Sequence, residues 1–196
     1  MILGRPMVDW AVSAARGAVD GVVLVVPRGD ERLASSGSSG ADVVVEGGET
    51  RSASVRAGLA AVPEDAKVVV VHDGARPLAT SALFARVIAE VDGGADAAVP
   101  ATPVADTLKK VSDGVVAGTV ARNGVVAVQT PQAFRAEVIR RAHASADDAT
   151  DDAGLVEALG VSVRVVPGEP RNLKVTTAAD LELVQQIAED RRDPLS

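Results

Sequence analysis

KVVVVHDGARP, residues Lys67 to Pro77, is the stretch that decides the fold. Four consecutive valines between Lys67 and His72 form a short, β-branched, uninterrupted apolar run. Such a run reads as a strand buried on both faces, the usual state in a parallel sheet. Polar residues follow at once, where open α/β sheets carry their ligands. A helix is expected on either side. Ser52 to Val62 places Val55, Leu59 and Val62 on one face, and Ser81 to Val91 does the same with Leu83, Phe84, Val87, Ile88 and Val91. The rhythm continues outward. Strands are expected over Gly21 to Pro27, Asp42 to Glu46, Asp96 to Pro100, Val125 to Gln129 and Val161 to Val166. Further helices are expected after Pro6, over Arg135 to Ala144, over Asp151 to Leu159 and over Thr177 to Glu189, with a short one at Glu31 to Ala34. Alternation of this kind predicts an α/β fold with a Rossmann-like, mostly parallel sheet flanked by helices. It reads as a single domain over residues 1–189, followed by a tail at 190–196.

Residues 102–124 break the alternation. Apolar and polar residues alternate around Ser112-Asp113-Gly114, and Asp-Gly is a hairpin turn signal. The segment reads as a protruding β-arm that packs on another subunit. A hairpin folded back on its own domain is the alternative.

Composition narrows the chemistry. The 196-residue chain has a formal net charge of −7, which argues against a nucleic-acid surface, since that needs a basic face. It leaves room for small phosphorylated ligands held by a few cations. The chain has no cysteine, so thiolate nucleophiles, disulfides and zinc-thiolate sites are excluded. No apolar run is long enough for a membrane helix and no signal-peptide pattern is visible, so a cytoplasmic location is expected. There is no GxGxxG, no GxxxxGK[ST] and no GxSxG.

The candidate site gathers residues at strand ends. After Glu46, Gly47-Gly48 would let a ligand approach the backbone closely, and Ser52 and Ser54 fall at a helix N-terminus with unsatisfied amides. A plain glycine turn with an N-cap reads equally well. Asp73 is placed to hold a divalent metal or a ribose hydroxyl, and Arg76 to hold a phosphate; an internal Asp73–Arg76 salt bridge is the alternative. Lys174 is a lone cation in apolar company and either snorkels or faces a ligand. Lys109 and Arg122 lie on the arm, where solvated surface charge is the plainer reading. Thr150 precedes a helix and reads first as part of its cap. One acid with several cations suits metal-assisted transfer on a phosphate.

Seven short motifs then stand in one order. They are Gly47-Gly48-Glu49-Thr50-Arg51-Ser52-Ala53-Ser54-Val55, VHDGARP at Val71 to Pro77, Asp106-Thr107 with Lys109, and Arg122-Asn123. QTPQAF at Gln129 to Phe134, TDDAGLVEALG at Thr150 to Gly160 and NLKVTTAADL at Asn172 to Leu181 complete the set. In this order the chain closely resembles the 2-C-methyl-D-erythritol 4-phosphate cytidylyltransferases of the non-mevalonate isoprenoid pathway, over essentially its whole length.

The resemblance implies a nucleotidyltransferase-type fold and a homodimer whose arms reach across to the partner. It implies a reaction joining CTP to methylerythritol phosphate with release of pyrophosphate, and a divalent cation, usually magnesium. It puts Gly48, Glu49 and Ser54 on the cytosine side, and Asp73 and Gly74 near the ribose, phosphates and metal. Arg76, Thr107, Arg122, Thr150 and Lys174 then hold methylerythritol phosphate, with Arg122 and Lys174 the catalytic pair and Thr107 and Arg122 supplied by the partner's arm. Alternatives are a cytidylyltransferase for another polyol phosphate, such as ribitol 5-phosphate, and a catalytically impaired nucleotide-binding module. Three departures stand out. Gly74 and Ala121 replace the family's usual Ala and Asp. The family's opening strand and glycine-rich loop, with an Arg and a Lys for the triphosphate, precede the turn matched by Leu3-Gly4-Arg5-Pro6. Their absence from the sequence predicts an open sheet position and weak activity.

Overall fold

The computed structural model describes residues 1–30, 40–144 and 149–191. The short helix expected at Glu31 to Ala34 and the last residues of the expected tail lie outside them. The described elements are α1 (Met7–Arg16), β1 (Val23–Val26), β2 (Val43–Glu46), α2 (Arg51–Ala61), β3 (Val68–Val71), α3 (Ser81–Asp92), β4 (Ala97–Pro103), β5 (Leu108–Ser112), β6 (Val115–Val120), β7 (Val126–Val128), β8 (Gln132–Arg135), α4 (Ala136–Ala142), α5 (Asp152–Ala158), β9 (Val163–Pro167) and α6 (Ala178–Asp190).

Local chemistry sets the helix starts. Thr50 caps α2 by accepting from the Ala53 amide, and Thr80 caps α3 by accepting from the Leu83 amide. Thr177 and Asp180 form a reciprocal capping box at the start of α6. The face of α3 expected to turn inward does so, with Leu83, Phe84, Val87 and Val91 buried against β4, β8 and β3.

The main sheet has five strands in the order β3-β8-β4-β7, with β9 parallel to β4 on its other edge. β8 runs antiparallel to both β3 and β4, and β7 runs antiparallel to β4. β1 and β2 form a separate parallel pair covered by α2. The sheet is therefore mixed, which corrects the expectation of a mostly parallel one. The cause is the chain's return from the arm. It comes back along one edge of β4 as β7 and then, past the cis Thr130-Pro131 bond, as β8. Gln132 and Pro131 hide β8 from an apolar-run reading, yet Phe134 on it is wholly buried. The four valines of β3 also differ from expectation, because β3 pairs with β8 alone and antiparallel. Among the described residues, β1 and β3 each keep one edge without a ladder partner.

The expected hairpin forms. β5 and β6 pair around Asp113-Gly114, both with positive φ, and join no other strand among the described residues. Val111, Val115 and Val116 on it stay exposed, as do Val126 and Val128 of β7, which the apolar pattern suggests as core. No helix among the described residues is long and apolar enough to cross a membrane.

Candidate active site

Two strand ends and one helix start form the floor of the site. After β2, the Gly47-Gly48 turn lies directly on the first turn of α2. A Cβ on Gly48 would stand 2.4 Å from the Ala53 Cβ, and one on Gly47 would stand 2.7 Å from the Ser54 Oγ. The Ser54 hydroxyl closes the turn, accepting from the Gly48 amide at 3.2 Å and donating to the Thr50 carbonyl at 3.0 Å. Gly48, Glu49, Thr50, Arg51 and Ser54 line an open cavity of about 380 Å³ together with Val25, Val26 and Pro27 at the end of β1. The three residues expected on the cytosine side are thus neighbours in one cavity wall.

Asp73, just past β3, is the centre of the charged group. Its Oδ2 lies 2.8 Å from Lys174 Nζ and its Oδ1 3.5 Å from Arg51 Nε. Burial pushes the Asp73 carboxyl up, but the Lys174 hydrogen bond and charge, with Arg51 and Arg76 beyond, outweigh it and hold the group below the usual carboxylate range. The Lys174 side chain is 44% exposed, against 18% for Asp73, so its far side faces solvent. Arg76 does not pair with Asp73 by contact. Its Nη1 donates to the Asn172 carbonyl at 2.8 Å, and burial lowers its affinity for its proton.

A buried polar frame holds this loop. The Asp73 amide donates to Thr130 Oγ1 at 3.0 Å, and that hydroxyl sits 3.0 Å from His72 Nδ1. His72 Nε2 lies 3.1 Å from the Arg76 carbonyl, so it carries the proton and Nδ1 accepts. Burial lowers the His72 pKa from 6.5 to about 4, which keeps the ring in that neutral form. Asn172 donates to the Thr130 carbonyl at 2.8 Å and to Gln129 Oε1 at 3.3 Å, tying the β7–β8 connection to the strand-end loop that carries Lys174.

Other expected residues stand apart. Gly74 is exposed, with nothing within 4 Å of a Cβ built on it, so the family's Ala would fit there. Thr107 and Thr150 are exposed. Arg122 caps the base of the arm, donating to the Val104 and Ala105 carbonyls. No described bond links Thr107, Thr150 or Arg122 to Asp73. Arg51, Thr130, Gln129, Asn172, His143 and Asp152 belong to the structured site, yet the sequence pattern assigns them no role. Arg51 and Asp152 lie inside two of the seven motifs, so their charge is the available signal; His143 offers none.

A model of the 2-C-methyl-D-erythritol 4-phosphate cytidylyltransferase (IspD) family matches residues 1–190. The chain belongs to that family. It is similar to the cytidylyltransferase of Rhodococcus opacus, at 52% identity over 95% of this chain and 84% of that one. It is also similar to that of Nocardia farcinica, at 47% identity over 98% and 85%. Among solved structures, the cytidylyltransferase of Thermus thermophilus superposes with a TM-score of 0.86 at 39% identity, covering 96% of this chain and 91% of that one. Of the seven motifs, those at Gly47 to Val55, Val71 to Pro77 and Asn172 to Leu181 supply the strand ends and helix start described above, while Asp106-Thr107 and Arg122-Asn123 lie on the arm.

Proposed function

We propose that this chain catalyses cytidylyl transfer from CTP to 2-C-methyl-D-erythritol 4-phosphate, giving CDP-methylerythritol and pyrophosphate. A phosphate oxygen of the acceptor attacks the α-phosphorus of CTP, and the bond to the β-phosphate breaks as pyrophosphate leaves. The observation that carries the reading is the adjacency of two features. A glycine-walled cavity suited to a base lies beside an acid flanked by Lys174 and Arg51.

Gly48, Glu49 and Ser54 hold the cytosine side, and Asp73 with Gly74 the ribose and phosphates. Lys174, half-exposed beside Asp73, orients the acceptor phosphate, while Arg76 and Thr150 contribute from the same end of the sheet. Catalysis is positioning and charge neutralisation, with no protein nucleophile. Magnesium fits as an ion carried in by the triphosphate, because Asp73 is one ionised carboxylate and the described residues gather no group of three or more His, Asp or Glu. Bound there, it would neutralise phosphate charge.

Arg122 and Thr107 act from the arm of a second copy. The exposed valines of β5, β6 and β7 supply an apolar surface for a homodimer. Pyrophosphate release from CTP plus methylerythritol phosphate, compared with ribitol 5-phosphate as acceptor, tests the reading. Turnover with ribitol 5-phosphate alone overturns the acceptor assignment.

A further inference from the structure

The cavity wall contains a cation that the transfer chemistry above leaves without a task. Arg51 is the first residue of α2, and its guanidinium spans two carboxylates from distant parts of the chain. Its Nη2 donates to Asp152 Oδ2 at 2.7 Å and its Nε faces Asp73 Oδ1 at 3.5 Å. Asp152 has no exposed surface, and its second oxygen accepts from His143 Nε2 at 2.9 Å. Burial pushes the Asp152 carboxyl up, but His143 and Arg51 outweigh it and keep it ionised. A wholly buried carboxylate is costly unless its partners are held in place. Here they form one line, running from His143 through Asp152 and Arg51 to Asp73 and Lys174. Arg51 Nη1 is buried and has no hydrogen-bond partner among the described residues, where it is a spare donor on the cavity-lining side chain.

We infer that Arg51 is a positioning residue for the transfer site, aimed by the buried Asp152–His143 pair. Asp73 is shared between Lys174 and Arg51. When an acceptor phosphate draws Lys174 away, Arg51 is the cation still holding Asp73 at its place beside the cavity. The planar guanidinium holds its donors toward the two carboxylates in one rigid fork, whereas a lysine ammonium is a single point charge on a flexible stem and fixes neither direction. Asp152 and His143 touch no substrate in this scheme; they fix the fork's direction. The inference rests on the cytidylyl-transfer reading.

Arg51→Lys, Arg51→Gln and Asp152→Asn separate the outcomes. Arg51 is part-exposed, so its variants keep the test open even where Asp152→Asn folds poorly. Calorimetry with CTP and with methylerythritol phosphate, and pyrophosphate-release kinetics, are measured for each. The expected result is a kcat lowered about ten- to a hundredfold, as for a displaced positioning group, with the KM for CTP little changed. Arg51→Lys is expected to behave like Arg51→Gln, not like wild type, and a double variant to be no worse than either single one. Unchanged kinetics with only a lower Tm would overturn the inference and leave the functional reading standing. So would full rescue by lysine. A wild-type chain that binds neither CTP nor methylerythritol phosphate overturns the functional reading, and this inference with it. If wild type binds both but turns over immeasurably slowly, a loss of acceptor affinity in Arg51→Lys supports the inference and an unchanged affinity overturns it.

Discussion

Asp73 and Arg122 are both charged residues assigned to the same transfer site, yet the chain holds them in opposite ways. Asp73 stands in a loop tied by the Thr130 hydroxyl, by Lys174 and by Arg51, with Asn172 buried and His72 half-buried behind it. Its surroundings come from separate stretches of sequence. Arg122 stands at the base of a two-stranded arm, bonded to backbone carbonyls of its own neighbourhood, below valines as much as 69% exposed. The core half of the site is organised within one chain. The arm half has apolar surface that nothing described in the chain covers. The difference is one of pre-organisation: the core half is built within the chain, and the arm half is the part for which a second copy is proposed.

The strongest way to break the comparison is Asp73→Ala. Lys174 and Arg51 then lose their shared partner, and kcat is expected to fall at least about a hundredfold. Pyrophosphate release at saturating CTP measures it; near-normal turnover would mean the core half is not organised around this acid.

The buried frame has its own pH signature. His72 has a folded pKa of about 4 against an ordinary value of 6.5, so it is the unfolded state that gains a proton as pH falls between them. Its contribution to stability is full above the higher value and is lost as pH falls toward the lower one. A shift of this size amounts to about 3 kcal/mol. Urea unfolding at pH 7 and near pH 4.5 is expected to differ by most of that amount, and His72→Gln to remove this share of the difference. A wild-type pH dependence that survives the substitution unchanged would show that the ring is not held neutral.

Arg122→Ala sharpens the other half. Loss of a charge-assisted phosphate contact is expected to weaken acceptor use by about 1.5–3 kcal/mol, with CTP binding unchanged. Equal loss of CTP affinity by calorimetry would place Arg122 in the nucleotide half instead. On the same arm, Val116→Lys is expected to shift the sedimenting species toward monomer, and its Tm is expected to match wild type only at concentrations where both are monomeric, since the valine is exposed in the single chain.

The smallest effects separate two glycines. Gly48→Ala forces a methyl against Ala53 and is expected to cost about 1–3 kcal/mol, with weaker CTP binding. Gly74→Ala meets open space and is expected to stay within about 0.5 kcal/mol of wild type, by thermal unfolding and by calorimetry.

Much of this was legible in the chain order. Apolar runs marked β1 to β4 and β9, and apolar periodicity marked α2 and α3, because such signals act over a few residues; the threonine caps of α2, α3 and α6 emerged only in the structure. The Asp-Gly hairpin was local in the same sense. The motif order identified the family, and the strand-end rule brought Gly48, Asp73 and Lys174 into view. Residue spacing alone left Asp73 paired with either Arg76 or a ligand.

Tertiary structure decided the rest. Asp73 pairs with Lys174, far along the chain, and with Arg51, and only the packed sheet brings those positions together. β8 is a central strand because β3 and β4 supply its hydrogen bonds, although Gln132 and Pro131 give it no strand signature of its own. Local patterns record what a residue does with its near neighbours along the chain. A buried ion line such as His143–Asp152–Arg51–Asp73 depends on where distant segments cross and on the low polarity around them, and neither quantity is written in any short stretch of sequence.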